Sequence, residues 1–124
     1  MSEPVSAEFG ATFDLGSMKR ALRAELRYQR DGQAARTLVR APDLRVVLIV
    51  LRRGVRIAEH HANETVSIQA LAGHLRVHLS ERVVDLEAGE LLVLAAGLHH
   101  DVEAPVDSAF LLTLGAPAHL PRQS

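Results

Sequence analysis

From Gln33 onward the chain is cut, at roughly ten-residue intervals, into short runs rich in Val, Leu and Ile. The runs are Gln33–Arg40, Arg45–Arg52, Arg56–His61, Thr65–Leu71, His74–Leu79, Arg82–Leu86, Leu91–Leu94, His100–Glu103 and Ala109–Leu114. Turn-forming residues part them, among them Ala41-Pro42-Asp43, Arg53-Gly54, Ala72-Gly73, Glu87-Ala88-Gly89 and Ala95-Ala96-Gly97. Runs this short, with no helical stretch between them, predict an all-β sandwich or barrel of antiparallel strands. Several runs alternate with the two-residue period of a strand. His74, Arg76 and His78 interleave with Leu75, Val77 and Leu79, and Thr65, Ser67 and Gln69 with Val66, Ile68 and Ala70. The apolar members of each set form the face that turns inward.

Ahead of this region the pattern differs. Residues 1 to 12 have no periodicity and read as a loose arm. Leu15, Met18, Leu22 and Leu26 then recur at spacings of three and four, which predicts a short amphipathic helix with Asp14 as its N-cap. Its basic residues, Lys19, Arg20, Arg23 and Arg27, read as a solvated face. The expected organisation is an arm and helix over 1–32, a barrel over 33–115 and a tail over 116–124.

A chain of 124 residues suits one domain, and 48% hydrophobic residues are enough for a core. With only three Phe, one Tyr and no Trp, that core is aliphatic and a base-stacking platform is not expected. Fourteen Lys and Arg against fifteen Asp and Glu leave a net charge of −1, which offers no electrostatic case for nucleic acid. The longest apolar run near the middle, Val46 to Leu51, is the length of a strand and far short of a membrane span. No Cys is present, which excludes thiolate metal sites and cysteine nucleophiles and fits a reducing compartment. The N-terminus carries acidic residues early and its basic pair late, the reverse of a secretory signal, so the expectation is a cytoplasmic protein.

Two segments carry more than fold information. Gly54 is followed by five residues and His60, and Gly73 closes the segment. Gly89 is followed by five residues, then Ala95-Ala96-Gly97, two residues and His100. This paired spacing resembles the two motifs of the cupin superfamily, and the likeness covers about Thr37 to Leu114. The resemblance implies a small single-domain, RmlC-like jelly roll, that is, a double-stranded β-helix barrel. It also implies a metal cage of three His and one Glu in the members that hold iron, manganese, nickel or zinc. Here His60 and His100 match that cage, whereas Ala62 stands at the second His position and Val66 at the Glu position. Ala95 and Ala104 replace the Pro and Asn of the second motif.

The candidate site follows from this frame. Strand alternation puts Val66 and Ile68 on the inner face, so the expected ligand pocket comprises His60, Val66, Ile68 and His100. His61 is expected to turn outward from His60, unless a bulge brings it, or Glu64 in the preceding turn, into the barrel mouth. His60, His100, Glu64 and His61 are the candidate ligands of a divalent metal (Fe, Mn, Ni or Zn). Two readings stay open: a weakly held ion, or a metal-free pocket in which His60 and His100 bind an anion, carbonyl or hydroxyl. His74 and His78 share one strand face and read as a surface ladder or a dimer contact, and His119 as exposed. No Gly-x-Ser-x-Gly turn surrounds Ser67 or Ser80, so a hydrolase triad is not expected. The functional expectation is a small-molecule-binding protein, with a metal-dependent dioxygenase or isomerase as the alternative. A homodimer is expected because a barrel this small leaves edge strands uncovered.

Overall fold

The computed structural model describes residues 10–61 and 63–117, with side chains throughout except at 59–61 and 116–117. The expectation for His119 lies outside the described residues. Among the described residues, two helices, α1 (Leu15–Arg23) and α2 (Leu26–Asp31), precede nine strands. These are β1 (Gln33–Ala41), β2 (Leu44–Leu51), β3 (Arg56–His61), β4 (Glu64–Ala72), β5 (His74–Leu79), β6 (Val83–Glu87), β7 (Leu91–Leu94), β8 (His99–Glu103) and β9 (Ser108–Pro117). They form two sheets, ordered β1-β2-β9-β4-β7 and β3-β8-β5-β6, and every pairing is antiparallel. The result is an antiparallel barrel, as the strand spacing predicts, with the jelly-roll order that the cupin resemblance implies.

The helical segment is broken where one amphipathic helix is expected. Glu25 takes an extended backbone (ψ 148) and starts α2 afresh, so the apolar stripe does not continue. Leu26, placed on that stripe by its spacing, is 83% exposed, and Tyr28 is buried in its stead. Asp14 caps α1 as expected, its side chain accepting from the Ser17 N–H at 3.1 Å. Gly32 ends α2 in the left-handed region (φ 77) and donates to the Tyr28 carbonyl at 2.8 Å.

The helices lie on the outer face of the first sheet, where Leu22 and Tyr28 pack with Leu38, Leu48, Val50 and Ala109. A second cluster fills the space between the sheets, with Ile49, Leu51, Val66, Ile68, Leu75, Val77, Val102, Phe110 and Leu114 among its members. Strand β2 therefore contributes to both: Leu48 and Val50 face the helices while Ile49 and Leu51 face the second sheet. A strand covered on both sides has no polar phase, which is why Val46 to Leu51 reads as an unbroken apolar run. Leu111 falls on the helix-side face of β9, since its neighbours Phe110 and Leu112 point between the sheets.

The chain crosses between the sheets repeatedly; one crossing, from β4 to β5, is at Gly73, and another, from β8 to β9, lies between Glu103 and Ser108. These two corners touch. Ser108, fully buried, accepts from the His74 N–H at 3.1 Å and lies 2.9 and 2.8 Å from the His74 and Val106 carbonyls as a donor. Gly73 has φ 78, and a Cβ there would overlap the Asp107 carbonyl oxygen and the Ser108 hydroxyl. Only glycine meets both demands at that corner.

Candidate ligand cavity

Between the sheets, at one end of the barrel, lies a cavity of about 360 Å³, within the roughly 300–1,000 Å³ typical of small-molecule sites. Its wall is mainly apolar: Ile49 from β2, Ile57 from β3, Val66 and Ile68 from β4, Val102 from β8, and Phe110, Leu112 and Leu114 from β9. Among the described residues, four polar ones complete it, namely Arg45, Asn63, Glu64 and His100. Arg45 and Asn63 are exposed and Glu64 is half-buried, so these three mark the open end. His100 sits deeper, with only 6% of its surface accessible.

Strand phase explains each position. In β8, His100 and Val102 are buried, whereas His99 is exposed. His100 Nδ1 lies 3.3 Å from the Leu98 carbonyl. In β4, Glu64 shares the phase of Val66 and Ile68, and the ladder to β9 shifts register between Glu64 and Val66. Glu64 thus opens the strand instead of lying in the preceding turn.

Of the residues expected in the site, Val66, Ile68, Glu64 and His100 line this one cavity. The backbone of β3 pairs His60 with His100 and His61 with His99; the side chains of His60 and His61 lie outside the described residues. Among the described residues, no group of three or more His, Asp or Glu stands close enough to hold a metal ion. The described donors at the cavity are one imidazole, His100, and one carboxylate, Glu64.

Asn63 and Arg45 line the cavity without being among the expected site residues, and the charged one of the two is Arg45. It has the phase of Val47, Ile49 and Leu51, and register places it in one row with Leu114, Val66 and Leu94 across the inner face of the first sheet. A charge in phase with an apolar set was the available signal.

His74 and His78 belong to a different surface. On the outer face of the second sheet, His74 bonds Asp85 at 2.8 Å and Glu87 at 3.1 Å, and His78 bonds Glu103 at 2.7 Å. Arg76 pairs with Asp85, and Arg56 with Asp101 at 2.6 Å, which extends the charge ladder across all four strands. The hydrogen bond to Asp85, assisted by Glu87, raises the His74 pKa above 6.5, burial opposing it. His74 in turn lowers the Asp85 carboxyl, and the His78 hydrogen bond lowers that of Glu103.

No protein-family model and no curated protein sequence matches the chain. Solved structures do. A conserved protein of unknown function from Streptococcus pyogenes shares 22% identity over 96% of this chain and 98% of its own, with a TM-score of 0.70. A cupin superfamily protein from Desulfitobacterium hafniense gives 14% identity, 69% and 79% coverage and a TM-score of 0.67. Salicylate 1,2-dioxygenase from Pseudoaminobacter salicylatoxidans, solved with gentisate, gives 19% identity over 83% of this chain, a TM-score of 0.74, and a match to only 32% of its own length. Two antiparallel sheets in jelly-roll order, motif glycines at 54, 73, 89 and 97 that all have positive φ, and these structural likenesses agree: the chain has the small cupin fold.

Proposed function

We propose that the protein binds a small organic molecule in the barrel, with His60 and His100 as the shared polar handle. One observation carries this reading. His100 is buried in the wall of a mainly apolar cavity, and the β3 backbone pairs His60 directly opposite it. Residues opposite each other in an antiparallel ladder share a face, so the pair would offer two imidazoles to one ligand oxygen. By the same rule the reading expects His61, paired with His99 along the ladder, on the outer face.

A second reading is supported by Glu64, which lines the same cavity as His100. Two His and one carboxylate are a donor set suited to a divalent ion such as iron, manganese, nickel or zinc. An ion so held would supply Lewis acidity or oxygen activation, the chemistry of a dioxygenase or isomerase, while the apolar wall would orient the substrate. The gentisate-bound dioxygenase of similar fold is compatible with that alternative.

The test is to purify the protein without a tag or chelating column and compare its native mass with its denatured mass, alongside elemental analysis. A retained small molecule that is lost in both H60A and H100A, with circular dichroism unchanged, supports the proposal. Retention unchanged by either substitution contradicts it. About one metal per chain selects the metal-dependent reading.

We also read the chain as a homodimer. Leu91 and Val93, 57% and 58% exposed on edge strand β7, leave an apolar face that a second copy would cover. A dimeric mass in light scattering is expected, and a monomeric one at tens of micromolar would contradict it. Among the described residues no helix is long and apolar enough to cross a membrane, and a chain without Cys suits the cytoplasm.

A further inference from the structure

Strands β1 and β2 bring two arginines face to face. Their register pairs Arg40 with Arg45 as direct neighbours across the ladder. Both are exposed, and no carboxylate among the described residues forms an ion pair with either. Like charges directly opposite each other in a sheet are unfavourable. The arrangement is costly unless water or an anion screens it.

The placement of the pair makes the anion specific. One step along the ladder, Val39 opposes Val46, and both belong to the helix-side cluster. Alternation therefore puts Arg40 and Arg45 on the opposite, inner face. Arg45 lines the cavity, in one row with Leu114 and Val66. A guanidinium at the rim of an apolar chamber fits a ligand with an anionic head and an apolar body. The planar fork of Arg matches the two oxygens of a carboxylate. Glu64 on the same cavity repels any anion, and repels a dianionic phosphate more than a singly charged carboxylate.

We propose that Arg45, with Arg40 beside it, anchors the carboxylate of an amphiphilic acid whose apolar body fills the cavity towards His100. This inference rests on the cavity being a ligand site and adds the class of ligand.

Octanoate, octanamide and octyl phosphate serve as probes of the intact, untagged chain by calorimetry. The wild type is expected to bind octanoate at least tenfold more tightly than octanamide and more tightly than octyl phosphate. R45A should weaken octanoate about tenfold and octanamide less than twofold, R40A should weaken octanoate by a smaller factor, and R45K should restore part of the loss. D85N, on the outer face of the other sheet, should change none of these. Equal affinity for acid and amide, or an R45A variant that affects both probes alike, overturns the carboxylate anchor and leaves the cavity reading intact. Tighter binding of octyl phosphate makes the head group a phosphate and overturns the choice of acid. Wild-type protein that binds none of the three overturns both. Circular dichroism of each variant separates loss of binding from loss of fold.

Discussion

Two glycines show how much one hydrogen atom decides. Gly73 and Gly89 both have positive φ, 78 and 93, but a Cβ on Gly73 would strike the Asp107–Ser108 corner whereas one on Gly89 meets nothing within 4 Å. G73A should therefore cost about 2–4 kcal/mol of unfolding free energy, conformational strain plus overlap, and G89A only about 1–2 kcal/mol. Urea denaturation of both variants checks the difference; equal losses would mean that the corner can yield. At His74 the question is one of protons. Its pKa is raised in the folded state, so its stabilising contribution is present in full below the unfolded value of 6.5 and fades as pH rises through the folded one. Asp85 works in reverse: its pKa is lowered, and its contribution is lost as pH falls through that lower value. D85N should move the His74 titration back towards acid, as followed by imidazole NMR. It should also cost more stability at about pH 5.5 than at about pH 8.5. Spacing shows the ladder formed by His74, Arg76 and His78, but not its partners. Asp85, Glu87 and Glu103 reach it only because β6 and β8 flank β5.

At the scale of elements, the helices act as a cover for the outer face of the first sheet. Leu22 is fully buried there, against β1 and β2. L22A should cost about 2–5 kcal/mol, seen as a lowered thermal midpoint, without changing affinity at the cavity on the other side of β2. A binding loss of the same size would mean that the two layers are coupled. Much of this layering is legible in the chain. The alternation of Val66, Ile68 and Ala70 with Ser67 and Gln69 gives the inner face of β4, and all three apolar residues are buried. Strand β2 conceals its phase, because both of its faces are covered over Leu48 to Leu51. The helix break is concealed for another reason. Leu26 keeps the correct spacing from Leu22, but Glu25 adopts an extended backbone and sends the chain in a new direction.

For the molecule as a whole, the function depends on where strands from both sheets converge. The cavity draws on β2, β4 and β9 of one sheet and on β3 and β8 of the other. Of its polar residues, His100 and Glu64 are legible from motif spacing and proximity, and Arg45 from phase alone once the inner face of β2 is known. The pairing of Arg40 with Arg45 is set by the two-residue Pro42-Asp43 connection between Ala41 and Leu44, but its inward face is legible only once the phase of β2 is known. The central claim is that His60 and His100 act together on one ligand or ion. Imidazole-nitrogen NMR on untagged protein, titrated with Zn²⁺ and separately with octanoate, tests it most directly. At least one probe is expected to move the His60 and His100 resonances together, at one apparent affinity, while His74 and His78 stay in place. Neither probe moving the pair, or either probe moving His74 or His78 instead, would contradict it.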